Sequence, residues 1–202
     1  MKNQSSTRIL AESAIMVALA TVLSMVKLWQ SPYGGSVTAL SMVPILLISL
    51  RRGVKAGLGA GFAHGVIQLL LGLGNVAWIP SPGGIVLCAL TDYILPFTLL
   101  GLGGVFRNVR FTKDEGANTL IAAALGAMLA TILRYLSHIV AGAGVWYALD
   151  LQWYADDPVH IVHRYGAWAF SAVYNGIYML PEIIATTVAT PLIAKALERI
   201  RP

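Results

Sequence analysis

The sequence predicts an all-α integral membrane protein: one bundle of six transmembrane helices, formed by residues 1–202 as a single domain, with the N- and C-termini cytoplasmic. Three observations lead there. The first is composition: hydrophobic residues make up 57% of the chain and charged residues 11%, against about 45–50% and about 25% in soluble domains. Mean hydropathy is +0.72. The second is a series of apolar runs near the length of about 20 residues that crosses a hydrocarbon core. The third is that Lys and Arg collect in alternate loops. These features exclude a disordered chain and an ordinary cytosolic enzyme. The lone Cys88 excludes a disulfide scaffold. The formal net charge of +5 contains no basic run, so the partner it implies is a lipid bilayer and not nucleic acid.

The first predicted span covers about residues 9–26. Lys2, Arg8 and Ala18-Leu19-Ala20 resemble the parts of a signal peptide, but Glu12 interrupts the run and the apolar stretch continues past the small residues. A retained helix is therefore expected. The second span, 37–50, is short and follows a Gly- and Ser-rich turn. The third, 54–73, carries Gly57, Gly61 and Gly65 at four-residue spacing, a face that lets membrane helices approach closely. Internal packing is the expected use of that face. Its Gly57-Leu58-Gly59-Ala60-Gly61 run is no dinucleotide fingerprint, because it lies inside a span without a preceding strand. The fourth span is 85–106, the fifth 120–145 and the sixth 168–197; the last two are long enough to tilt.

Loop charge sets the orientation. With the N-terminus inside, the cytoplasmic side receives Lys2, Arg8, Arg51, Arg52, Lys55, Arg107, Arg110, Lys113, Lys195, Arg199 and Arg201, eleven of the 14 basic residues. The outside receives Lys27 and Arg164, and Arg134 lies within a span. An odd number of spans would scramble this positive-inside pattern.

Ionisable residues inside spans are costly and by default mark function. Here they are Asp92 in the fourth span, Arg134 and His138 in the fifth, Glu182 in the sixth and His64 in the third; Asn175 adds an amide in the sixth. Asp92, His138 and Asn175 each lie seven residues from the outer end of their span, hence roughly 10 Å below the outer surface at about 1.5 Å per residue. Three helices thus bring a carboxylate, an imidazole and an amide to one level, as a solute pocket would. Tyr93 follows Asp92. Arg134, His138 and Gly142 share a face, with Trp146 above them, and Phe170, Tyr174 and Tyr178 form a stripe beside Asn175. One carboxylate among aromatic faces suits a flat organic cation.

Competing readings bear on several of these residues. Trp146, Trp153 and Trp168 also fit as interface anchors. Arg134 and Glu182 are expected to pair as a structural salt bridge, and His64 to pack between helices. The small-residue stripe of Ala11, Ala14 and Ala18 fits either internal packing or docking to another membrane protein. Asp156, Asp157, His160 and His163 read as a solvated loop rather than a metal site, and no metal or cofactor is expected. Neither a P-loop, HExxH nor GxSxG is present, so active transport by this chain would need energy from elsewhere.

Several segments resemble one family. Gly34-Gly35-Ser36-Val37 with the run PILLISLRRG at 44–53, Leu90-Thr91-Asp92-Tyr93, Leu133-Arg134-Tyr135 with His138 and Gly142, and Tyr174-Asn175-Gly176 with Tyr178-Met179-Leu180-Pro181 are similar to the thiamine-specific S components, the substrate-binding subunits of energy-coupling factor transporters. The likeness is collinear over nearly the whole chain. It implies a multi-pass protein of the prokaryotic plasma membrane that binds thiamine in its outer half and is not an enzyme. The substrate-binding residues it implies are Asp92, Tyr93, Arg134, His138, Gly142, Trp146, Phe170, Tyr174 and Asn175. A docking face at Ala14 and Ala18 would meet a transmembrane coupling subunit, which works with two ATPase subunits. Asp92 would neutralise the thiazolium, His138 and Trp146 would stack on the rings, Asn175 and Tyr93 would hydrogen-bond the ligand, and Arg134 would meet its hydroxyethyl end. The first loop, 27–36, would be a lid. The sequence departs from the best-known members: they carry Glu where Asp92 stands, Lys at Arg134 and Tyr at Phe170, and a Trp and a Glu at Gly35 and Ala39. The residues alone leave open an S component for another vitamin or a pyrimidine precursor, and a stand-alone proton-coupled carrier. An intramembrane enzyme using His138 as base lacks a recognisable nucleophile or metal-ligand set.

Overall fold

The computed structural model describes residues 6–31 and 34–198. Lys2, Arg199 and Arg201 of the loop charges, and positions 32 and 33 of the first loop, lie outside the described residues. In chain order the elements are α1 (Ser6–Met25), β1 (Lys27–Gln30), β2 (Ser36–Thr38), α2 (Val43–Arg52), α3 (Val54–Leu71), a single turn α4 (Leu73–Val76), α5 (Pro82–Gly104), α6 (Glu115–Trp153) and α7 (Ala167–Glu198). Among the described residues, α1, α3, α5, α6 and α7 are each long and apolar enough to cross a membrane.

The protein is mostly helical, as expected, and two details of that expectation change. β1 and β2 add an antiparallel hairpin with Trp29 opposite Val37 and Gln30 opposite Ser36. And residues 37–50 are not one span. Val37 lies in β2, and α2 begins only at Val43 and has 10 residues. At about 1.5 Å per residue that is about 15 Å, half of a hydrocarbon core about 30 Å thick. Every residue from Val43 to Ser49 is buried, so α2 is apolar on all sides because protein surrounds it. A short run of this kind looks the same in sequence whether lipid or protein covers it.

Ile45, Leu46 and Ile48 of α2 form the core with Val17 and Ala20 of α1, Ala60 of α3, Phe97 and Leu100 of α5, and Ala127 and Ala130 of α6. Gly53, at φ +99°, makes the joint between α2 and α3, a conformation that a Cβ would strain. The α3 glycines pack internally as expected: a Cβ on Gly61 would run into the Phe97 carbonyl of α5. The Ala14 and Ala18 side of α1 is instead exposed. His64 is also a packing residue, 1% exposed, with its Nδ1 3.2 Å from Thr21 Oγ1 and its ring edge-on to Phe97 at 4.9 Å. Glu12, the charge that interrupts the first apolar run, is paired with Arg52 at the end of α2 and lies 3.3 Å from Arg8. That contact brings the start of α1 and the end of α2 to one end of the bundle. Arg51 and Arg107 line a crevice there with Ala194 and Leu197 of α7.

Two long helices are locally underwound. α5 turns π-helical over Ala89–Ile94, ahead of Pro96, and α6 does so over Gly142–Trp146. Such π segments re-aim side chains and are frequent at functional sites. Asp92 lies in the first, and Gly142 and Trp146 in the second.

Candidate functional site

A cavity of about 340 Å³ opens between the hairpin, α3, α5, α6 and α7. That is the lower range of small-ligand pockets, about 300–1,000 Å³. All nine residues expected to contact a substrate, from Asp92 through Asn175, line this one cavity.

Its centre is a chain of hydrogen bonds between α5 and α6. Trp146 Nε1 donates to Asp92 Oδ2 at 2.6 Å, and His138 Nδ1 lies 2.9 Å from Asp92 Oδ1. The Cys88 thiol adds a weak contact at 3.6 Å to Oδ2. Arg134 Nε donates to His138 Nε2 at 3.3 Å. Arginine has no acceptor, so Nε2 must accept, which leaves the proton of a neutral imidazole on Nδ1, pointing at Asp92. Asp92 is thus an acceptor on both oxygens, the role of an ionised carboxylate. Trp146 is fixed by this bond and is no simple interface anchor, whereas Trp168, 64% exposed, has an anchor's position. Trp153 is exposed too, edge-on to Trp78 at 5.6 Å.

The expected Arg134–Glu182 salt bridge does not form: no ion pair within 4.0 Å joins them among the described residues. The Arg134 guanidinium lies over the Phe97 ring at 4.5 Å, where the ring quadrupole stabilises a cation. Glu182, 2% exposed, accepts from the backbone N–H of Thr38, and from its hydroxyl at 2.8 Å. It ties the hairpin to α7. Opposite charge suggested pairing Arg134 with Glu182, but the sequence could not show which way each helix faces.

The α7 wall is aromatic. Phe170 is 2% exposed, with Tyr147 at 5.6 Å and Tyr174 at 6.0 Å between ring centroids. Tyr174 donates to Gly34 O at 3.2 Å and accepts from Ser31 Oγ at 2.9 Å, which seats the first loop over the cavity. Gly34 and Gly35 hold the loop's turn at φ +107° and +83°, where glycine is favoured. Asn175, expected to face a ligand, spends its amide on the protein. Nδ2 donates to Ser171 O at 2.9 Å and His138 O at 3.3 Å, and Oδ1 accepts from Tyr178. Tyr93 donates to Gly72 O at 3.4 Å. In the outer loop, His160 stacks on Tyr154 at 3.7 Å and His163 Nε2 is 2.7 Å from the Tyr154 carbonyl oxygen.

Among the lining residues that the sequence reading missed are Gln68, Phe97 and Asp150. Asp150 was missed because the fifth span was ended at residue 145, whereas α6 continues to Trp153. Its position four residues beyond Trp146 was the available signal.

Comparison with known proteins finds similarity over nearly the whole chain. A family model described as "Thiamine transporter protein" matches residues 10–201. The thiamine transporter ThiT of Bacillus subtilis (strain 168) is 32% identical over 198 residues, covering 95% of this chain and 93% of the relative. ThiT of Lacticaseibacillus paracasei is 27% identical over 198 residues, covering 93% and 87%. The solved structure of ThiT from Listeria monocytogenes superimposes with a TM-score of 0.73 at 28% identity, covering 96% of each chain.

Proposed function

The chain belongs to the thiamine transporter protein family and is a multi-pass membrane protein, and from that premise we propose that it is the high-affinity thiamine-binding subunit, the S component, of an energy-coupling factor importer. The observation that carries this is the convergence of all nine expected residues, drawn from three separate helices, on one ligand-sized cavity.

In this reading Asp92 supplies the negative charge that offsets the permanent positive charge of the thiazolium, since an uncompensated charge in a dry pocket is costly. With both oxygens already engaged, it acts through space and holds the His138 and Trp146 rings for stacking. Arg134 offers its remaining N–H groups to the hydroxyethyl end. Asn175 is a positioning residue that fixes Tyr178 and the α6 backbone. The hairpin, held by Glu182 and Tyr174, closes over the ligand.

The bundle is one domain of six membrane segments with both termini cytoplasmic, the hairpin and α2 together making the second. The Glu12–Arg52 pair supports this, because it returns the end of α2 to the level where α1 begins. The exposed Ala14 and Ala18 dock to the coupling subunit, and two ATPase subunits supply the energy this chain has no motif to harvest. The protein transports and does not transform its ligand. Titration of the purified protein with thiamine, riboflavin, biotin and a pyrimidine precursor, followed by tryptophan fluorescence, tests the assignment. Saturable quenching by thiamine alone is expected; tighter binding of any other compound refutes it.

A further inference from the structure

We propose that Asp150 is the ligand-facing acid of the cavity and sets its preference for a cationic over an uncharged ligand; this rests on the thiamine-binding reading of the same site. Two carboxylates line the cavity, Asp92 and Asp150, and they are placed differently. Asp92 is spent on the protein, with His138 on one oxygen and Trp146 on the other. Asp150 is 4% exposed, and its Oδ1 is sealed from solvent with no hydrogen-bond partner. Nor does any ion pair among the described residues reach Asp150.

A buried carboxylate oxygen without a donor is a costly group that a fold keeps only for a reason. Asp150 stands one helical turn beyond Trp146 on the same face of α6, so it extends the ring-binding wall away from the Asp92–His138 pair. The two cations that line the cavity do not neutralise it. Arg134 is held at the opposite end by His138 and Phe97, and Lys27 donates to Gln30 at 3.3 Å. A ligand that brings positive charge and N–H or O–H donors therefore supplies what Asp150 lacks. An uncharged ligand of the same shape leaves the carboxylate without an opposite charge at low dielectric. Thiamine is of the first kind. A neutral analogue is of the second.

The test is titration of wild type, Asp150→Asn and Asp150→Glu with thiamine and with an uncharged analogue of the same shape. Wild type is expected to favour thiamine. Asp150→Asn should weaken thiamine binding at least tenfold and narrow the gap between the two ligands at least tenfold. Asp150→Glu, which keeps the charge, should keep the gap. A purely structural residue would lower both affinities in parallel and leave their ratio unchanged. That result overturns the proposal, as does equal affinity of wild type for the two ligands, a readout that needs no variant to fold. Failure of wild type to bind thiamine at all instead refutes the functional reading and takes this inference with it.

Discussion

Replacing Asp92 with Asn removes one charge at nearly constant volume, and the structure lets its consequence be worked out. Asp92 receives two N–H donors, His138 Nδ1 at 2.9 Å and Trp146 Nε1 at 2.6 Å. An asparagine offers one acceptor oxygen and one NH2. The imidazole cannot switch tautomer to accommodate it, because Arg134 already donates to Nε2. One of the two ring N–H groups is therefore left against another donor. The charge is a separate loss: a carboxylate about 5 Å from a bound cation, at an effective dielectric of about 20, is worth about 3 kcal/mol. The disturbed donor adds about 1–3 kcal/mol of unsatisfied hydrogen bonding, part of it present before the ligand arrives. The expected loss in thiamine affinity is at least about 2 kcal/mol, a factor of about 30 in Kd. The assay is equilibrium titration of wild type and Asp92→Asn with thiamine and with an uncharged analogue of the same shape. Thiamine should lose much more than the neutral analogue. Equal loss for both would show that Asp92 holds the fold rather than the charge. Equal retention would place the counter-ion elsewhere, with Asp150 the alternative.

Three further substitutions probe the other parts. Trp146→Ala should cost about 1–3 kcal/mol of stacking, on the scale of base–aromatic contacts, or a factor of about 5–150 in thiamine Kd; an unchanged Kd would leave Trp146 no role in binding. Replacing both Ala14 and Ala18, which lie on the exposed side of α1, with Leu should abolish ATP-driven uptake by the assembled transporter and spare thiamine binding by the isolated subunit. Loss of binding instead would mean that this face serves the fold. Glu182→Ala removes one of the hairpin's two ties to α7, the acceptor of Thr38, and stopped-flow measurement should show faster thiamine dissociation; an unchanged off-rate would remove this tie from the closing step.

Much of the site was legible because membrane spans make polarity conspicuous. Asp92, His138 and Asn175 stood out as polar residues in apolar runs. A fixed rise per residue then set them at one depth, and the structure joins them, Asp92 to His138 and His138 to Asn175. What depth does not carry is azimuth. Arg134 and Glu182 were paired by their charges, yet one turns to Phe97 and the other to the hairpin. Helix ends were illegible wherever an apolar run and a buried run coincide. The second predicted span merged strand β2 with the enclosed helix α2, because Val, Ile and Leu serve in either. The fifth was cut at Val145, although the helix continues through Tyr147–Trp153, and Asp150 was lost with it. The two π segments that aim Asp92 and Trp146 at each other leave no mark in hydrophobic periodicity over so few residues.

The most direct measurement is to purify the protein from its membrane without added ligand, denature it, and identify by mass spectrometry what small molecule is released. The cavity of about 340 Å³ has room for a single vitamin-sized guest, so the account predicts thiamine, approaching one molecule per chain. Release of a different vitamin or of a phosphorylated anion at that stoichiometry, with thiamine absent, would contradict it.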